Sequence, residues 1–357
     1  VDRRDGAADR EERGGHALTI VMVLLLLVVL GLAVEWVARA VAHVKTEPLR
    51  WHDLFTQRKQ DQMRRLDRCD LVVAGSSKML YGVDPNVLAE RTGLCAYNAS
   101  IYRGVPLVTE TWLRDVVLDA LRPRYVVVGI SPTEVNDNSP LTTRLAEYRA
   151  AKVFHASRPR RLHWWLGRWS YAIRYVWLLR RPRTLLALVR EVLRRRDVWS
   201  WRVPVEIPGE LGPNGQSLKF LDREYGHGPR MLALITEQVT NFSNGGEQVG
   251  AYHRLPALCA EHGARLVLAA MPAARQLIED TFEGGRAAWD AEWSRLREMV
   301  AGLGVPLVDV ADGFEDHRWY ADMVHLNGAG QAEFSRRLGD ALVAELGLRQ
   351  DRKVTTG

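Results

Sequence analysis

The sequence predicts an α/β protein: a three-layer α/β/α sandwich around a five-stranded parallel sheet, preceded by one N-terminal transmembrane helix. Three observations predict it. Short apolar runs alternate with amphipathic helical stretches in both halves of the chain, the pattern of β-α-β units. Residues 17–34, ALTIVMVLLLLVVLGLAV, carry no charge. Polar side chains cluster just after the apolar runs, on the rim where open parallel sheets bind ligands.

Residues 1–16 are charged and Gly-containing and are expected as a disordered cytoplasmic tail. Residues 17–43 are the expected anchor. At about 1.5 Å per residue the uncharged run spans about 27 Å, close to the hydrocarbon thickness of a bilayer. The rival is a cleaved signal peptide ending at Ala38-Arg39-Ala40. The length of the run, and Glu35 between run and tripeptide, argue against it. Arg3, Arg4, Arg10 and Arg13 precede the run, and Arg39, Lys45 and Arg50 follow it, so basic residues alone do not decide its orientation. Residues 44–68 are polar and helical, a juxtamembrane stalk.

Alternation then begins. Strands are expected at 70–74, 94–98 and 125–130, with helices at 85–91 and 106–121, the latter with Pro106 in its first turn. It resumes with a helix at 249–262, a strand at 265–270, a helix at 285–303, a strand at 306–310 and a helix at 329–346. Residues 69–346 are therefore one domain, with an insertion at 138–248 between its third and fourth strands, and 347–357 are a disordered tail. No internal repeat is present.

The chain has 357 residues, enough for one large domain with insertions, and its 47% hydrophobic content can fill a sizeable core. The net charge of +6 is uneven: thirteen arginines lie between Arg158 and Arg202 against only Glu191 and Asp197. Cys69, Cys95 and Cys259 are too few and too scattered for a disulfide framework or a zinc site. All three are expected as small, buried core residues. A Cys69–Cys95 bridge would require an extracytoplasmic domain.

Val73-Ala74-Gly75-Ser76-Ser77 ends the first strand in a Gly-x-Ser turn, and Asp322-Met323-Val324-His325 precedes the last helix. A serine is a weak nucleophile until a base takes its proton, and an imidazole needs a partner on its second nitrogen. Ser77, His325 and Asp322 are the candidate catalytic set. The Ser77 N–H and Gly104 are candidate oxyanion donors, with Asn98 or Asn136 adding a side-chain donor. Taken singly, a serine after a strand is often a helix cap, and Asp-x-x-His a cap plus a surface residue. Their convergence on one rim favours the catalytic reading. No Gly-x-Ser-x-Gly elbow, His-Glu-x-x-His, Walker loop or Gly-x-Gly-x-x-Gly is present. No cofactor or metal is expected.

These residues resemble the SGNH (GDSL-type) hydrolase superfamily over 69–136 and 249–346. Gly75-Ser76-Ser77 resembles its Gly-Asp-Ser block with Ser in place of Asp, and Asp322-Met323-Val324-His325 its Asp-x-x-His block, Leu326-Asn327 following as is typical. Asn98-Ala99-Ser100 through Gly104 resembles the second block, whose Gly donates to the oxyanion hole. The third block, normally Gly-x-Asn-Asp, reads Gly129-Ile130-Ser131-Pro132, so its Asn is missing; Asn136 and Asn138 are the nearest substitutes, at the wrong spacing. The Gly-Ser-Ser variant behind an anchor is similar to the membrane-anchored proteins of envelope polymer acylation, of the D-alanyl-lipoteichoic acid and alginate O-acetylation type. That resemblance implies Ser77 rather than Ser76 as nucleophile and an extracytoplasmic domain on a single-pass protein of the cell membrane. It implies a serine esterase or O-acyltransferase whose partners are an acylated envelope polysaccharide or glycolipid, membrane lipid and a membrane-bound acyltransferase. The alternative is an inactive scaffold that binds a glycan or partners an acyltransferase.

The insertion carries Trp164, Trp165, Trp169, Trp177, Trp199 and Trp201 among its arginines, and 174–196 reads as helical, broken near Pro182. Three readings compete: a cap with solvated arginines, a segment lying on an anionic membrane surface, or a binder of acidic polymer. Nucleic acid is not expected as a partner, because the anchor points to the envelope.

Overall fold

The computed structural model describes residues 5–43, 49–138, 211–226 and 228–348, with 166, 170–174, 186, 189–190 and 192–194 between them. The six insertion tryptophans, most of 174–196, and residues 349–357 lie outside the described residues. The chain divides into two units, 1–51 with 156–206 and 52–155 with 207–357.

In the first unit, helix α1 (Asp5–His43) holds a segment, Thr19–Ala40, that is long and apolar enough to cross a membrane, with a mean hydropathy of 2.9. At about 1.5 Å rise its 22 residues reach about 33 Å. Its apolar side chains from Ile20 to Val37 are exposed. Near its end Glu35 bonds Arg39 one turn on (2.9 Å) and accepts from the Ser170 hydroxyl (2.7 Å) and from the Ala172 N–H (3.1 Å) of the short helix α7 (Tyr171–Arg174).

The second unit is the α/β body. Its five strands are β1 (Leu71–Ala74), β2 (Ala96–Asn98), β3 (Tyr125–Ile130), β4 (Arg265–Ala270) and β5 (Leu307–Val308). All pair in parallel, in the order β2-β1-β3-β4-β5. Every residue of β1 and nearly all of β3 and β4 are buried, which is why these strands read as unbroken apolar runs rather than alternating ones. The right-handed crossover rule puts the β1–β2 helices on one face and the later crossover helices, which include α6 (Leu118–Leu121) and α10 (Gly285–Leu303), on the other. α4 (Pro85–Thr92) accordingly packs on the last helix, α11 (Gly328–Leu346), while α5 (Pro106–Trp112) packs on α9 (Glu247–Glu261). Buried Glu110 of α5 is held in a fork by Arg254 of α9, at 3.1 and 2.7 Å.

The expected stalk does not stand apart. Its helix α2 (Leu49–Leu66) buries Phe55, Lys59 and Met63 at i, i+4 and i+8. Lys59 Nζ donates to the carbonyls of Asn98 and Gly215, the latter at 2.8 Å, and burial holds its pKa well below the usual lysine range. The cysteine expectation is also corrected. Cys69 and Cys95 are joined in a disulfide, with Cα atoms 5.1 Å apart, and Cys95 is exposed; only Cys259 is a free, buried thiol. The cause is register. Leu71 lies opposite Ala96, so the residues entering the two adjacent strands meet.

Candidate active site

The strand order reverses direction between β1 and β3: the chain steps from β1 to β2 on one side, then crosses to β3 on the other. The loops after these two strands diverge to opposite faces and leave a crevice at their carboxyl ends. The β1 loop carries Ser76 and Ser77; the β3 loop carries Ser131, Thr133 and Glu134. Gly75 makes the tight exit from β1 at φ 149°, where an added Cβ would sit 2.8 Å from Met79 Cγ.

The two serines of this turn have different work. Ser76 is the N-cap of α3 (Ser77–Gly82), its Oγ accepting from the Lys78 N–H (3.1 Å), and it also bonds the Glu134 carboxylate. Ser77, half-buried, turns instead to His325: Oγ and Nε2 are 2.9 Å apart. The other ring nitrogen, Nδ1, lies 2.8 Å from Asp322 Oδ2. A carboxylate only accepts, which assigns the proton to Nδ1 and leaves Nε2 to accept from Ser77 O–H. Asp322 Oδ1 takes the N–H groups of Val324 and His325, both at 2.9 Å, so one carboxylate shapes the turn and orients the ring. Burial pushes the Asp322 pKa up. The facing imidazole and the hydrogen bonds from Nδ1 and the two N–H groups outweigh it, and the net direction is down. Asn327 caps α11 through Gly330 N–H (3.0 Å) and anchors the end of the turn.

Of the expected oxyanion donors, Ser77 N–H opens α3 and so has no acceptor within the helix. The other three face elsewhere. Gly104 N–H donates to the Ile101 carbonyl (3.0 Å), and Gly104 is needed as glycine because a Cβ would lie 2.5 Å from the Gly75 oxygen. Asn98 Nδ2 donates to the carbonyls of Met79 (3.0 Å) and Val83 (2.9 Å), tying β2 to α3. Asn136 Nδ2 donates to Gln238 O (2.8 Å) and Thr240 O (3.3 Å). Both asparagines act as clamps between segments, and their amides are not presented to Ser77.

Several residues at the site escaped sequence reasoning. Tyr81 and Phe220 wall the imidazole, with centroids 4.9 and 5.3 Å from it. Phe220 comes from the insertion and has no motif to mark it. The cleft over Ser77 and His325 is lined on its apolar side by Met231, Ile235 and Val239, all from α8 (Pro229–Val239). On its polar side stand Lys78, Thr133 and Glu134. Lys78 and Glu134 are only 6% and 7% exposed. Burial lowers the Lys78 pKa to about 8 against the raising effect of Glu134, and burial raises that of Glu134 against the effect of Lys78. Position was the available signal: Lys78 directly follows Ser77, and Glu134 follows the third strand. Among the described residues, no group of three or more His, Cys, Asp or Glu is placed to hold a metal.

No protein-family model matches the chain, and no curated protein matches it. Among solved structures it is similar to "a putative arylesterase from Agrobacterium tumefaciens", at 13% identity and a TM-score of 0.34, over 77% of this chain and 99% of that one. A likeness this distant bears on neither substrate nor mechanism.

Proposed function

We propose that the chain is a membrane-anchored serine esterase or O-acyltransferase of the SGNH type, acting on an acylated envelope glycan or glycolipid. The hydrogen-bonded series Ser77–His325–Asp322, at the carboxyl edge of a parallel sheet, carries this reading. Ser77 Oγ attacks the ester carbonyl while its proton passes to His325 Nε2, and the Asp322 carboxylate stabilises the imidazolium. The alcohol departs with that proton and leaves an acyl-Ser77. A water or an acceptor hydroxyl then gives its proton to Nε2 and takes the acyl group, which restores the serine. The Cys69–Cys95 disulfide favours an oxidising compartment, and the apolar helix supports the anchor; together they support a domain outside the cytoplasmic membrane. Met231, Ile235 and Val239 make an apolar wall suited to an acyl group.

A second reading, a glycan-binding scaffold without turnover, is favoured by one observation: Gly104, Asn98 and Asn136 direct their donors away from the site. A fluorophosphonate probe separates the two. The detergent-solubilised chain should be labelled, and Ser77→Ala should abolish the label. A wild-type chain that stays unlabelled yet binds an acetylated glycan would establish the scaffold reading instead.

A further inference from the structure

The third strand ends at Ile130, and Ser131 stands where the resembled block carries its asparagine. Ser131 is fully buried and does not line the cleft, so it does not take that place itself. It is the middle of a hydrogen-bonded series. Lys78 Nζ donates to Ser131 Oγ at 2.8 Å. Ser131 Oγ lies 3.3 Å from Thr133 Oγ1. An ammonium has donors and no acceptor, so Ser131 Oγ accepts from Lys78 and its own proton is free to point onward. Thr133 Oγ1 stands within reach to accept it. The Thr133 hydroxyl then keeps its own proton to give, and Thr133 lines the cleft together with Ser77 and His325.

We propose that Thr133 donates a hydrogen bond to the developing oxyanion, beside the Ser77 N–H, and that Lys78 and Ser131 are positioning residues that fix the direction of its hydroxyl. This inference rests on the serine-esterase reading. It explains why a lysine and a glutamate are buried next to the nucleophile, an arrangement that costs desolvation and is weak grounds for stability alone. Glu134 faces Lys78 and keeps the charge balanced, while its bond to Ser76 ties the two loops of the crevice together.

The test uses the full chain in detergent, nitrophenyl acetate as substrate, and the fluorophosphonate probe. Thr133→Val removes the hydroxyl and keeps the shape. It should lower kcat about 10²–10³-fold, the effect of losing one oxyanion donor, with KM changed less than about threefold. Thr133→Ser restores a hydroxyl and should recover kcat to within about tenfold of wild type. Should Thr133→Val fold poorly by thermal melting, Thr133→Ala makes the same deletion without added bulk. A hydroxyl-free variant with kcat within about threefold of wild type, in a protein that Ser77→Ala inactivates, overturns the role of Thr133 and leaves Ser77 standing. A loss that Thr133→Ser fails to rescue overturns it too. A wild-type chain that neither turns over the ester nor labels at Ser77 removes the enzyme reading and this inference with it.

Discussion

Asp322 does two jobs with two oxygens, and substitutions at this position should separate them. Oδ2 holds the His325 Nδ1–H at 2.8 Å, and Oδ1 accepts two backbone N–H groups at 2.9 Å. Asp322→Asn leaves an oxygen for the turn but puts an N–H₂ or a neutral carbonyl against the ring. With the amide nitrogen facing Nδ1, the proton moves to Nε2 and His325 becomes a donor to Ser77 instead of a base. Loss of the correct tautomer in such a site lowers kcat by about 10⁴, equal to about 5.5 kcal/mol of transition-state stabilisation. Asp322→Ala leaves the tautomer unconstrained, so its loss of kcat should be smaller than that of the asparagine variant and smaller than that of Ser77→Ala or His325→Ala. Stability should run the other way. The alanine leaves two N–H groups without their acceptor, at about 1–2 kcal/mol each, whereas the asparagine keeps them. Wild-type Asp322 has a lowered pKa, so its stabilisation is present above the ordinary aspartate value and is lost as pH falls through the folded value. The stability gap between wild type and Asp322→Asn should therefore narrow in acid. The assays are nitrophenyl acetate turnover and urea unfolding across pH 3–7. An asparagine variant within about tenfold of wild-type kcat, or more damaging to stability than the alanine, would refute this account of the site.

Three further outcomes are expected. The Cys69–Cys95 bridge joins residues 26 apart and should contribute about 3–4 kcal/mol; Cys69→Ala with Cys95→Ala should lower the unfolding free energy by that amount and move the urea midpoint down, and an unchanged midpoint under reductant would contradict it. Gly104→Ala would force a Cβ to within 2.5 Å of the Gly75 oxygen and 2.9 Å of the Ile101 oxygen, costing about 1–3 kcal/mol and displacing the Ser77 turn; an alanine variant with wild-type stability and turnover would show that the approach is looser than described. The chain should stay with membranes after carbonate washing with its C-terminal domain open to protease from outside; recovery of a soluble form cut after Ala40 would show the apolar segment to be a signal peptide.

Local chemistry made much of this protein legible from its sequence. β1, β3 and β4 are buried on both faces, so they had to be written as unbroken apolar runs, and the uncharged run from 17 to 34 lies in a helix long and apolar enough to cross a membrane. Asp322 and His325 meet within one turn, a contact that depends on three residues of spacing and little else. The strand order, the crevice between β1 and β3, and the partner of each donor were decided only by the tertiary structure. Cys69 and Cys95 meet because β1 and β2 pair in one particular register, not because of their separation along the chain. Asn98 and Asn136 have the right chemistry for an oxyanion hole, yet the carbonyls of Met79 and Val83 and of Gln238 and Thr240 take their amides first. Phe220 reaches the imidazole from 105 residues upstream. A sequence records which groups are able to donate or accept. Which of them is left to do so at Ser77 depends on every other group the fold brings within about 3 Å, and that competition exists only in three dimensions.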